Sequence, residues 1–192
     1  MKDRIIAFLA ELNAALVPVA NGERLDLYHI GRSALVWKHG FVAATEDVDV
    51  ITQQGSERLM SVAIRLFGRG TAMAREHELY LEEVPKALPP VWGGCFKRAT
   101  EVAERWSVIR LFHLEDHDFT VTKLKRFSTK DQEDIRTLSD HGLLDSKTLT
   151  ERVRAAYPFH NERNPDKDDD PWAEAAFAHL KVVVKYLNEG EW

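Results

Sequence analysis

Tyr28-His29-Ile30-Gly31-Arg32-Ser33-Ala34-Leu35, followed by Thr45-Glu46-Asp47-Val48-Asp49-Val50, is the stretch on which the reading of this chain turns. From Leu25 to Ile30 the residues alternate, Leu25, Leu27 and His29 against Asp26, Tyr28 and Ile30, which predicts a strand. Gly31 breaks it, and Ser33 to His39 reads as a short helix ending at Gly40. Asp47-Val48-Asp49-Val50-Ile51 is alternating and β-branched, hence a second strand. Side chains two apart on a strand share a face, so Asp47 and Asp49 project together. Two such carboxylates repel each other unless a proton or cation lies between them, and hard oxygen donors suit Mg²⁺. Upstream, the helix start after Gly31 offers backbone N–H groups to a phosphate.

Asp-x-Asp alone also describes the solvated face of an edge strand, and glycine ends many strands. The combination at this spacing is more specific. A phosphate cradle beside a metal-binding carboxylate pair is the minimum equipment for nucleotidyl transfer.

Ile5, Leu9, Leu12 and Leu16 recur at helical spacing, predicting a helix over 3–16 with Asp3 at its start and Pro18 and Asn21-Gly22 ending it. Gln53-Gln54-Gly55-Ser56 reads as a turn, and Glu57 to Phe67 as a helix stopped by Gly68 and Gly70. Residues 77–114 read as strands and loops, the strand candidates being Leu79–Leu81, Thr100–Val102 and 107–112, punctuated by Pro85, Pro89, Pro90 and Gly93-Gly94. From Asp118 the pattern turns helical. Ser128 followed by Asp131 is an acidic capping pattern for the next helix, and 146–157 forms another. Residues 161–171 read as a polar linker. A final helix, Trp172 to Leu187, carries a stripe of Trp172, Ala176, Leu180, Val183, Val184 and Leu187 that must dock on its own core or on a partner. The expected architecture is α+β: a domain over 1–158 with a small mixed sheet flanked by helices, then a linker and C-terminal helix over 159–192.

Composition narrows the function classes. With 44% hydrophobic and 30% charged residues, the 192-residue chain has enough apolar material for a real core. A net charge of −5 excludes a global basic field for nucleic acid, so any such contact needs a local patch, for which Lys125, Arg126 and Lys130 are candidates. The single cysteine, Cys95, rules out an intrachain disulfide and suits a reducing cytoplasm. The first residues lack the apolar core of a signal peptide, and no run approaches a membrane span, so no membrane partner is expected. The histidines form no zinc-ligand spacing.

Gly31-Arg32-Ser33 with its following helix, then Asp47-Val48-Asp49, resembles the signature of the DNA polymerase beta-like nucleotidyltransferase superfamily. A second block, Leu114 to Arg126 and then Lys130-Asp131-Gln132-Glu133-Asp134-Ile135, is similar to bacterial families of that superfamily, some uncharacterised and some related to abortive-infection toxins. The likeness spans roughly residues 25–157. It implies a nucleotidyltransferase fold, Gly31, Arg32 and Ser33 at the phosphate cradle, and Asp47 and Asp49 as metal ligands with Mg²⁺ or Mn²⁺. It also implies Lys123 and Asp131 in nucleotide binding and catalysis. Glu115, Asp116 and Asp118 all follow the strand 107–114; Asp118 aligns best with the third metal carboxylate, and it also reads as a helix cap. Arg32 stands where the motif usually has glycine or serine. The implied activity moves a nucleotidyl group from a nucleoside triphosphate to a hydroxyl on RNA, such as a tRNA end, or on a protein, with an antitoxin or a second copy as partner. The alternative is a non-catalytic protein of the same fold that acts through a protein partner.

Overall fold

The computed structural model describes residues 1–41, 43–52, 55–84, 95–158 and 171–190. They form two compact units: Met1–Lys86 with Phe96–Leu114, and Ala87–Cys95 with Glu115–Trp192. The expected linker as far as residue 170, the proline and glycine punctuation over 85–94, and Gln53-Gln54 lie outside the described residues, and Pro171 belongs to a helix.

The first unit is a five-stranded mixed sheet in the order β3-β2-β1-β5-β4. Its strands are β1 (Leu25–His29), β2 (Asp47–Thr52), β3 (Tyr80–Glu83), β4 (Phe96–Arg98) and β5 (Ile109–Leu114). β1 runs antiparallel to β2 and parallel to β5, while β3 runs parallel to β2. Four helices accompany them: α1 (Lys2–Ala20), α2 (Gly31–His39), α3 (Glu57–Phe67) and α4 (Ala72–His77).

Alternation sorts the two faces of the sheet. Leu25, Leu27, Val48, Val50, Ile109 and Leu111 are buried in one cluster with Ile5, Phe8, Leu9, Leu12 and Leu16 of α1 and Leu59, Met60, Ala63 and Phe67 of α3. Each such side chain contributes roughly 1.5–3 kcal/mol by leaving water. Buried Asn13 on α1 accepts hydrogen bonds from the Val108 and Ile109 N–H groups, both at 3.0 Å, which ties the helix to the start of β5. Asp26, Tyr28, Arg110, Phe112, Asp47, Asp49, Tyr80 and Glu82 occupy the alternate positions. There Arg110 clamps Asp26 through two hydrogen bonds, and the Tyr28 ring stacks on Phe112 at 4.8 Å.

The second unit is helical: α5 (Asp116–Leu124), α6 (Thr129–Asp140), α7 (Ser146–Ala156) and α8 (Pro171–Glu189). α6 opens with the capping box expected of Ser128 and Asp131: each one's side chain accepts from the other's backbone N–H. α8 docks against α5 and α7. Its buried stripe is Ala173, Ala176, Phe177, Leu180 and Val183, while Trp172 is half exposed beneath the Lys125 ammonium.

Several boundaries differ from expectation. α1 runs on through Pro18, and Asn21, in the left-handed conformation, ends it. The carbonyl that Pro18 leaves without a donor belongs to exposed Ala14, where water can satisfy it. Thr100–Val102 is a turn rather than a strand, because the chain folds back on itself with Ala103 and Arg105 donating to the Thr100 and Val102 carbonyls. The strand in that region is β4, just upstream.

Candidate active site

Gly31 is the pivot. It follows β1 directly with φ of +70°, a left-handed conformation that glycine adopts without strain, and it starts α2. No side chain caps this helix start. A Cβ on Gly31 would lie 2.3 Å from Asp49 Oδ2, so only glycine lets the cradle backbone come this close to that carboxylate. The Ile30 N–H donates to the Asp49 carbonyl at 2.9 Å and fixes the turn against β2.

Asp47 and Asp49 share one face of β2, as the period of two requires. Parallel pairing with β3 places Tyr80 beside Asp47 and Glu82 beside Asp49. Ligand oxygens of Asp47, Asp49 and Glu82 all lie within 4.8 Å of one another. The Thr45 hydroxyl donates to Asp47 Oδ1 at 2.8 Å and orients it. Three oxygen donors this close together could hold a hard divalent cation, and such a cation would relieve their mutual repulsion. Burial raises the Tyr80 phenol pKa above its usual value, and the charges of Asp47 and Glu82 raise it further against the opposing effect of Arg69.

The signal for Glu82 was weak in the sequence. Tyr80-Leu81-Glu82-Glu83 alternates, yet its nearness to Asp49 comes from strand pairing. Asp118 is not a member of this group of three. It is buried in the second unit, where its Oδ1 is 3.8 Å from Arg152 Nε. Burial raises its carboxyl pKa against the pull of Arg152 and of Cys95, which it meets through a hydrogen bond.

The Ser33 hydroxyl is fully buried and bonded to His29 Nε2 at 2.9 Å. Behind it, the rings of His29 and His113 lie 5.5 Å apart, with Trp37 edge-on to His29 and tilted against His113. Burial holds both imidazoles neutral, His113 down to about 4 and His29 well below its usual value, with the neighbouring His113 adding to the effect on His29. What Ser33 can offer a phosphate is therefore its place in the first turn, because its side chain is committed elsewhere.

Lys123 and Asp131 do come together, with the ammonium 3.1 Å from Asp131 and 3.2 Å from Asp134. Arg126 grips the same Asp131 through two bonds of 2.7 Å. Burial opposes ionisation of Asp131, but the Arg126 guanidinium, the Lys123 charge and the Ser128 hydroxyl outweigh it and hold the carboxyl well below its usual range.

A family model described as "Nucleotidyltransferase of unknown function (DUF6036)" matches residues 5–177. The chain belongs to this family. No curated protein and no solved structure matches it. As a member of this nucleotidyltransferase family it has the α+β architecture that the resemblance implied, with the Asp-x-Asp strand next to the Gly31 turn. Among the described residues no helix is long and apolar enough to cross a membrane.

Proposed function

We propose that this protein is a metal-dependent nucleotidyltransferase in which Asp47, Asp49 and Glu82 hold Mg²⁺ or Mn²⁺ and the start of α2 receives the triphosphate. The observation that carries the reading is the convergence of three carboxylates within 4.8 Å beside a glycine whose missing Cβ leaves room at Asp49. A bound divalent cation supplies charge neutralisation for phosphate oxygens and a lowered pKa for the incoming hydroxyl. The chain's own part is positional. Thr45 orients Asp47, the Gly31 turn holds Asp49, and β3 brings Glu82 into register. In the transfer, the acceptor's hydroxyl oxygen bonds to the α-phosphorus, the bond to pyrophosphate breaks, and the hydroxyl proton leaves to a site carboxylate.

The acceptor we carry with this reading is a hydroxyl on an RNA end or on a protein, as in the toxin-like relatives the second block resembles. An antitoxin-like partner belongs to the same proposal, as does a cytoplasmic setting. We assign Glu82, rather than Asp118, as the third carboxylate. Lys123 and Asp131 we assign to holding α5 and α6 together, with any nucleotide contact by Lys123 secondary to that.

The test is thermal stability with ATP, GTP, CTP and UTP, each with and without Mg²⁺, in the wild type and in Asp47→Asn and Asp49→Asn. A nucleotide at about 100 times its dissociation constant adds roughly 2.7 kcal/mol, a shift of several degrees in a domain of this size. A Mg²⁺-dependent shift lost in both variants supports the reading. No shift with any nucleotide refutes it and favours the non-catalytic alternative.

A further inference from the structure

The carboxylate group has a cation beside it on the chain itself. Arg69 lies in the turn between α3 and α4, and its guanidinium is 3.7 Å from Glu82. Two features hold it at this rim. Gly68 forms a parallel bridge with Leu81, which sets the base of Arg69 against β3. The guanidinium also stacks over the Tyr80 ring at 4.2 Å and donates to the Tyr80 hydroxyl. A Cβ on Gly68 would meet the Ile64 carbonyl oxygen at 2.4 Å, so the tight turn that places Arg69 depends on that glycine.

The Arg69–Glu82 pair is open to water, with the two side chains 72% and 47% exposed. Solvent screens such a pair, and it exchanges partners at little cost. Tyr80 is also hydrogen-bonded to Glu82, but the guanidinium lies over the ring face, a contact that remains if Glu82 turns to another cation. A planar guanidinium held this way presents paired N–H donors that fit phosphate oxygens.

We propose that Arg69 is an exchangeable counter-charge, paired with Glu82 until a divalent cation takes that carboxylate and then released, still on Tyr80, to bind a phosphate of the incoming polyphosphate. This rests on the metal-site reading above. It assigns the phosphate-recognising residue at the β3 edge, a role that the sequence motifs did not give to Arg69.

Mn²⁺ binding is followed by electron paramagnetic resonance in the wild type, Arg69→Gln and Arg69→Lys, alone and with inorganic tripolyphosphate. Arg69→Gln is expected to bind Mn²⁺ alone a few-fold more tightly, because a competitor for Glu82 is gone. It should bind tripolyphosphate in the presence of Mn²⁺ roughly tenfold more weakly, because a charge-assisted contact is lost. Arg69→Lys, which keeps charge but not the planar fork, should fall between. The opposite signs are the signature, since general damage to the site would weaken both. If wild type and Arg69→Gln bind Mn²⁺ and tripolyphosphate within twofold of each other, the inference fails while the metal site stands. If the wild type binds no Mn²⁺, the metal-site reading fails and this inference with it.

Discussion

Acidification tests the buried histidine pair. His113 is 6% exposed and its imidazole pKa is held down to about 4 by burial, against about 6.5 in an unfolded chain. As pH falls, the unfolded chain takes up the proton first. Stability is therefore fully present above about pH 6.5 and is lost progressively down to about pH 4. The whole gap is worth roughly 3 kcal/mol, and at about pH 5 some 2 kcal/mol of it is already gone. Fully buried His29 adds in the same direction. Against a total stability of about 5–15 kcal/mol this is a large fraction. Urea titrations at about pH 8 and pH 5, read from the fluorescence of buried Trp37 and Trp106, should show the midpoint falling by about 1 M for a slope near 2 kcal/mol/M. His113→Leu should lose His113's share of that drop. Its imidazole nitrogens have no hydrogen-bond partner, so the apolar replacement costs little at about pH 8. Asp118, whose carboxyl pKa is raised, acts in the opposite sense but is present in both proteins and cancels in the comparison. A midpoint in the wild type that does not move between the two pH values would refute the reasoning. So would a His113→Leu variant that keeps the full pH dependence.

Gly31→Ala should cost about 1–3 kcal/mol from backbone strain and abolish Mn²⁺ binding, because the new Cβ falls on Asp49 Oδ2; urea unfolding and paramagnetic titration report the two effects separately. Asp131→Asn should destabilise the fold by roughly 2–3 kcal/mol, at or below the low end for a broken buried pair, because Lys123 keeps Asp134 and Arg126 reaches solvent. In the wild type Asp131's share is fully present above about pH 4 and is lost only as pH falls through its much lower folded-state pKa, so unfolding curves at about pH 3 should show the gap between wild type and variant narrowed but still open. The Cys95 thiol pKa is pushed up to about 11 by burial and, secondarily, by Asp118. With so little thiolate at about pH 8, its reaction with a disulfide reagent should be roughly 200-fold slower in the folded protein than in urea; equal rates would show that the thiol is not held in this way.

The local chemistry of the chain determined a good deal by itself. Side-chain period along a strand is a property of two neighbouring residues, so Asp47 and Asp49 had to share a face whatever the rest of the molecule did. Gly31 between a strand and a helix, the Ser128–Asp131 capping box and the apolar face of α3 are likewise interactions within a few residues, and each stands where the pattern put it. Only the tertiary structure decided which residues meet across the chain. Glu82 joins Asp49 because β3 pairs in parallel with β2 in one register, and a slip of one residue would turn it to the other face. Asp118, aligned from sequence with the third metal carboxylate, has Cys95 and Arg152 as its neighbours in the second unit, which no local motif names. His29 and His113 become a buried neutral pair because β1 and β5 are parallel neighbours in the sheet. α1 passes Pro18 because Ala14 is solvent-exposed, a fact about burial that no local motif contains. Periodicity is written in adjacent residues, whereas strand order and register follow from which faces of the whole chain can leave water together.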